Sequence, residues 1–199
     1  MNQVITISRE YGAGGHTIGQ RVAKELGIPF YDKDIVRETA KASGFDLELV
    51  EQEGEDISKM DAIFKSICAA TSSNYKDTQE AIHDVQKAII LRFAKEGPCV
   101  ILGRCADEIL REAGIPCVNV FIHASMEHRL RHAAVDSGIT DPAELQKFVT
   151  RKDKSRHTYY DFYTNNKWAD SRNYTLSLDS GALGYDRCVK YIIEAACAE

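Results

Sequence analysis

The stretch from residue 4 to residue 27 constrains this chain more than any other, because strand, glycine turn and helix follow one another there without a spacer. Val4-Ile5-Thr6-Ile7 is an apolar, β-branched run, and Ser8-Arg9-Glu10-Tyr11-Gly12-Ala13-Gly14-Gly15-His16-Thr17 turns the chain. Ile18, Val22, Ala23 and Leu26 then recur at helical spacing until Gly27 and Pro29 stop the helix. Glycines let backbone N–H groups come close to an anion, and the N-terminus of the helix adds the positive end of its dipole, so phosphate is the chemistry such a turn can hold. A full phosphate loop has a glycine, four residues, then Gly-Lys and Ser or Thr. Here Arg9 stands at the first glycine, Gly15 at the lysine and His16 at the hydroxyl residue. A dinucleotide fingerprint could start at Gly12 and Gly14 but meets Thr17 at its sixth position, although Asp32 and Asp34 lie near the ribose-binding offset. The turn by itself leaves both classes open, along with an ordinary strand-to-helix turn.

The rest of the chain alternates in the same way. Ile28-Pro29-Phe30-Tyr31 leads to Asp32, which can cap a helix running through Val36 and Ala40. The segment 77–96 contains no Gly or Pro and reads as a long helix ended by Gly97-Pro98. Cys99-Val100-Ile101-Leu102 and Val118-Asn119-Val120-Phe121-Ile122 read as buried strands joined by a helix over 106–113. Residues 174–178 make a last strand and 185–196 a closing amphipathic helix. The expected fold is α/β: a doubly wound parallel sheet flanked by helices. Residues 44–77 are first acidic, then small and polar, and read as an inserted, mobile region.

With 199 residues, 44% of them hydrophobic, the chain can bury a core as one domain. A formal net charge of −5 gives no electrostatic footprint for a nucleic-acid polymer, so any phosphate binding must be local. Six cysteines occur without paired or metal-like spacing and read as reduced core thiols. No segment has the length and apolarity of a signal core or a membrane span, and a cytoplasmic protein is expected.

Three constellations beyond the turn carry chemistry. Leu102-Gly103-Arg104 places an arginine beyond the carboxyl end of a buried strand, where parallel sheets bind ligands and where a planar donor fork suits phosphate. A structural arginine at a helix start would oppose the helix dipole. Arg151-Lys152-Asp153-Lys154-Ser155-Arg156 is a basic segment in which Asp153 can hold Arg156 at a helical spacing of three; its ordinary alternative is a solvated face. Tyr159, Tyr160, Phe162, Tyr163 and Trp168 follow, and packing of this flap against the body or a second subunit outweighs stacking on a base. His123 ends a strand but has no visible nucleophile partner.

Six segments, in order, resemble the cytidylate kinase-like family, a branch of the phosphate-loop nucleoside monophosphate kinases. Cytidylate kinases open roughly with ITIDGPSGAGKST, and ITISREYGAGGHT lies over that stretch without a gap. Ile28-Pro29-Phe30-Tyr31-Asp32 is similar to the family's strand ending in an aspartate beside the acceptor nucleotide. Gly103-Arg104 resembles its Gly-Arg-Asp acceptor contact, with Cys105 in place of the aspartate and Asp107 the nearest carboxylate. Phe121-Ile122-His123-Ala124-Ser125 and the helix from Glu127 to Arg131 resemble its next strand and arginine-rich helix. Asp153 and Arg156 fit its lid pattern, and Leu176-Ser177-Leu178-Asp179-Ser180 its last strand. The resemblance fades over residues 44–95.

The resemblance implies a single phosphate-loop kinase-like domain, with core segments 1–43, 97–124 and 173–199, a helical acceptor-binding insertion over 44–96 and a lid over 125–172. It implies transfer of the γ-phosphoryl of ATP to a nucleotide such as CMP or dCMP, with Mg²⁺ on the β- and γ-phosphates. Gly12, Ala13, Gly14, Gly15, His16 and Thr17 would cradle ATP; Asp32, Arg37, Arg104 and Asp107 would hold the acceptor. Arg129, Arg151, Asp153 and Arg156 would serve the transferring group. Arg9 is the nearest cation to replace the missing lysine, and Thr17 the nearest hydroxyl for Mg²⁺. Nucleotides are then the expected partners, with residues 159–168 suited to a homodimer contact and no role for nucleic acid or membrane. The altered turn also suits a nucleotide-binding regulatory protein with little kinase activity. A dinucleotide-dependent oxidoreductase would need a glycine at position 17 and has no use for Arg151 and Arg156.

Overall fold

The computed structural model describes residues 3–44 and 75–198. Five strands, β1 (Val4–Arg9), β2 (Phe30–Tyr31), β3 (Val100–Leu102), β4 (Cys117–His123) and β5 (Leu176–Asp179), form one parallel sheet in the order β2-β3-β1-β4-β5. Ile5 pairs with Val100 on one side and Val118 on the other, and Ile7 with Leu102 and Val120. β1 is therefore central and covered on both faces, which is why it reads as a continuous apolar run. In the dinucleotide-binding order the second strand lies beside the first; here β3 takes that place, and the topology departs from the oxidoreductase alternative.

The connecting helices are α1 (Gly15–Leu26), α2 (Lys33–Ser43), α3 (Tyr75–Glu96), α4 (Ala106–Glu112), α5 (Met126–Ser137), α6 (Pro142–Tyr163), α7 (Ser180–Leu183) and α8 (Tyr185–Cys197). Ile18 and Val22 of α1, with Val189 and Ile192 of α8, close over Ile5, Ile7, Val120 and Ile122. On the opposite face Ile35, Ile90, Phe93, Ile109 and Leu110 close over Val4 and Ile101. Full burial of each such side chain contributes about 1.5–3 kcal/mol, and the two layers fix the sheet from both sides. The long helix begins at 75 rather than 77, and the last strand at 176 rather than 174. Of the expected mobile insertion and the acceptor-binding segment over 44–96, only Gly44 and α3 fall within the described residues.

α6 starts at a strong signal: the Asp141 carboxylate accepts from Glu144 N at 2.7 Å and Pro142 takes the first helical position. Ala133 of α5 packs on Leu145 and Val149 of α6. The far end of α6 returns to the body, where Tyr159 and Tyr160 pack with Cys105 and Trp168, and Trp168 meets Phe121 edge-on at 5.3 Å. The aromatic segment thus packs the end of α6 on the sheet, while Phe162 stays exposed. Cys99, Cys105, Cys117, Cys188 and Cys197 are not joined in disulfides, and burial pushes Cys99 up to about 12 and Cys117 to about 11, away from the reactive thiolate. Cys68 lies outside the described residues. No described helix is long and apolar enough to cross a membrane.

Candidate active site

The turn after β1 delivers the N-terminus of α1 uncapped by any side chain. Gly14 is left-handed, at φ 79°, and the first helical hydrogen bond runs from Ile18 N to Gly14 O at 2.9 Å, so the amides of residues 15–17 precede the helical ladder. Neighbouring protein atoms explain the glycines. A Cβ at Gly12 would lie 2.4 Å from the Arg129 carbonyl oxygen, and one at Gly14 2.2 Å from the Tyr185 ring. At Gly15 it would lie 2.7 and 2.8 Å from Cβ and Cγ of Arg9. The Arg9 side chain therefore passes over the position where a phosphate loop carries its lysine. Glu10 N donates to Ile122 O (3.0 Å), Tyr11 N to Asp153 Oδ1 (2.7 Å) and Ser180 Oγ to Ala13 O (2.7 Å), tying the turn to β4, α6 and α7. Ala13 itself is fully buried beneath the turn.

Over this turn lies a cavity of about 540 Å³ bounded by Arg9, Gly12, Gly14, Gly15, His16 and Thr17, with Asp32 and Arg156 across from them. His16 Nδ1 is 2.9 Å from Asp32 Oδ2, and its ring sits edge-on to Phe30 at 5.2 Å. A smaller space of about 30 Å³ adjoins it, lined by Ser8, Arg104, Cys105, Tyr159, Tyr160 and Trp168. Arg9 and Arg156 line both, and Arg156 Nη1 donates to Arg9 O at 3.2 Å while its guanidinium lies 5.5 Å over the Tyr11 ring.

Arg104 is the most costly residue of the site. It is 7% exposed, its Nε and Nη1 find no partner among the described residues, and it adopts φ 62° between Gly103 at φ 73° and Cys105 at φ 52°. A non-glycine residue held left-handed costs on the order of 1–3 kcal/mol, and leaving a buried charge unpaired costs more. Gly103 N donates to Ile7 O at 2.9 Å and Ala106 N to Gly103 O at 3.2 Å, which lock the turn between β3 and α4. A guanidinium kept buried with open donors is built to receive an anion.

Other expected site residues serve behind these. Arg129 is buried and forms ion pairs with Glu10 (3.3 Å) and Asp153, and donates to Tyr11 O at 3.4 Å. Asp153 thus gives its carboxylate to Arg129 and to Tyr11 N. Burial lifts the Glu10 carboxyl above its ordinary pKa, against the pull of Arg129. Asp107 is buried and accepts from Tyr160 OH at 2.8 Å, so it backs the smaller cavity through Tyr160, and burial lifts its carboxyl too. Arg37 is exposed beside Asp34 at 3.5 Å. Arg151 stands five residues from Arg156, about 140° around the helix, and lies 5.6 Å over Phe148 along a separate groove with Lys147 and Lys154. Neither Arg37 nor Arg151 borders the cavity among the described residues.

Lys33, His132, Asp136 and Tyr185 also border the large cavity. Sequence reasoning missed them because nothing local marks them. His132 lies 5.7 Å from the Tyr185 ring only after α8 has packed beside α1.

A model of the cytidylate kinase-like family matches residues 4–182. Cytidylate kinases of Pyrobaculum aerophilum and Pyrobaculum calidifontis are 24% and 26% identical to the chain, each match covering 98% of it and 92% of the relative. The shikimate kinase of Bacteroides thetaiotaomicron superposes with a TM-score of 0.58 at 14% identity, over 98% of this chain and 99% of that one, and so shares the fold.

Proposed function

Because the chain belongs to the cytidylate kinase-like family, we propose that it transfers the γ-phosphoryl group of ATP to a nucleoside monophosphate, with CMP or dCMP as the first acceptor. The observation that carries this reading is the Arg9 side chain lying across Gly15, because it brings a cation to the loop that has lost its lysine. The cytidylate kinase relatives support the choice of acceptor.

Phosphoryl transfer needs positioning and charge stabilisation more than covalent chemistry. The amides of residues 15–17 receive the donor's phosphates, with Arg9 and Arg156 alongside. Arg104 receives the acceptor's phosphate. The bond from the γ-phosphorus to the ADP oxygen breaks as an acceptor phosphate oxygen bonds to that phosphorus, and no protein-bound intermediate forms. A divalent cation supplies further neutralisation of the donor's phosphates.

The test is a panel of nucleoside monophosphates with ATP and a divalent cation, following ADP release. CMP- or dCMP-dependent ADP formation is the expected result. Silence across the panel, with ATP binding retained, would replace this reading with the regulatory one.

A further inference from the structure

The turn lacks charge rather than an oxygen ligand: Thr17 borders the large cavity with a hydroxyl, while Gly15 stands where a phosphate loop has its lysine. Among the described residues the Lys and Arg side chains bordering that cavity are Arg9, Lys33 and Arg156. Arg9 and Arg156 also line the smaller space and so stand at the boundary between the two, whereas Lys33 borders the large cavity alone. It opens α2 beyond the carboxyl end of β2, the edge at which parallel sheets bind ligands, and it is exposed. Its local setting gives no reason for a cation. The neighbouring carboxylates are turned to other partners, Asp32 Oδ2 at 2.9 Å from His16 Nδ1 and Asp34 Oδ1 at 3.5 Å from Arg37 Nη1. Lys33 itself makes no ion pair or side-chain hydrogen bond among the described residues, and a cation in the first turn opposes the helix dipole.

We propose that Lys33 is a catalytic residue whose ammonium contacts the terminal phosphate of the donor nucleotide, supplying with Arg9 the charge that the turn has lost. Asp32 borders the same cavity, and a carboxylate there repels a phosphate unless a cation beside it offsets the charge. Lys33 is its neighbour in the chain. The two cations differ in kind. The Arg9 stem passes over Gly15, which ties its planar fork to the turn, whereas an ammonium on a flexible four-carbon stem presents three rotatable donors to an oxygen that moves. During transfer the γ-phosphoryl leaves the ADP oxygen and crosses toward the acceptor. A donor that follows it stabilises the charge spread over its three equatorial oxygens. Lys33 acts in this step as a charge and exchanges no proton.

This inference rests on the nucleotide-binding half of the proposed function, and its first readout is binding rather than turnover. The full chain is titrated calorimetrically with ATP and with ADP, each with a divalent cation, because the two ligands differ only in the terminal phosphate. Lys33→Met should weaken ATP binding about 10- to 100-fold, as for a lost charged hydrogen bond, and leave ADP binding and the thermal midpoint unchanged. Lys33→Arg, which keeps the charge, should retain the larger part of the ATP affinity. With an accepted monophosphate, kcat of Lys33→Met should fall about 10²- to 10³-fold at an unchanged acceptor KM. Equal ATP affinity in Lys33→Met and the wild type, a loss shared equally by ATP and ADP, or a rise in acceptor KM alone overturns the proposal. Selective loss of ATP affinity in a protein that phosphorylates no monophosphate upholds Lys33 and overturns the kinase reading; turnover that Lys33→Met leaves intact does the reverse.

Discussion

Arg9 and Gly15 form a complementary pair: the arginine side chain occupies the space that any side chain at position 15 would need, with 2.7 Å between Arg9 Cβ and a Cβ built on Gly15. The phosphate-loop register puts a glycine at 9 and a lysine at 15, and this chain has the two exchanged in kind, cation for glycine at both places. Removing one charge-stabilising contact costs on the order of 3–4 kcal/mol of barrier, or about 10²- to 10³-fold in kcat.

Arg9→Ala should therefore lose about that much turnover while circular dichroism stays unchanged. Gly15→Lys alone should fare as badly, because the new side chain collides with Arg9. The double variant Arg9→Gly with Gly15→Lys should recover a large part of the loss, a non-additivity that only touching residues show. Additive losses would mean that the two positions do not share one role.

Arg104 separates function from stability in the opposite sense. Arg104→Gly removes a buried guanidinium with two donors open among the described residues and relieves a left-handed backbone at φ 62°. The expected thermal midpoint is equal to or above that of the wild type. The acceptor KM should rise about 10- to 100-fold, as for a lost charged hydrogen bond of about 1.5–3 kcal/mol. A variant that unfolds earlier and keeps its KM would make Arg104 a structural residue.

The fold was legible in the sequence because its signals are local. Val4 to Ile7 and Cys99 to Leu102 are apolar without interruption, as strands covered on both faces must be, and Gly27, Pro29 and Gly97 mark helix ends through backbone chemistry alone. Within the site, position beyond β3 singled out Arg104 and alignment with the phosphate-loop pattern singled out Arg9, and both border the cavities around the turn. Tyr185 could not be found this way, since its ring meets Gly14 only across 170 residues of intervening chain. Nor could a list of basic residues tell Arg151 from Arg156; their angle around α6 does so once one face of that helix is known to rest on the turn. Asp153 shows the general reason: its helical spacing offers Arg156, but only the folded chain brings the buried Arg129 guanidinium and Tyr11 N to its carboxylate.

Arg129 should accordingly behave as a fastener. Arg129→Met leaves Glu10 and Asp153 partly buried without their cation, and breaking a buried pair from one side costs on the order of 3 kcal/mol or more. For a chain of this length that corresponds to a midpoint lower by roughly 6–12 °C. ATP binding measured well below the transition should persist, because the amides of residues 15–17 do not depend on the Arg129 charge. A fall in kcat with no change in midpoint would assign Arg129 to the transferring group instead.

His83 provides the pH dependence. It lies on α3 with Nδ1 2.9 Å from Tyr159 OH and its ring stacked on Tyr163 at 3.7 Å, joining α3 to the far end of α6. Burial lowers its pKa from 6.5 to about 4. The unfolded chain therefore takes up a proton as pH falls through 6.5, while the folded one stays neutral until about 4, so protons favour unfolding across that interval. The stability that His83 contributes is present above 6.5 and is lost progressively down to 4. Thermal midpoints of the wild type should fall over this range, and those of His83→Gln, which keeps a polar partner for Tyr159 without titrating, should fall less. Because the contact ties α6 to α3, limited proteolysis of α6 should rise with the same pH profile in the wild type alone. Parallel profiles for the two proteins would assign the acid sensitivity to the carboxylates.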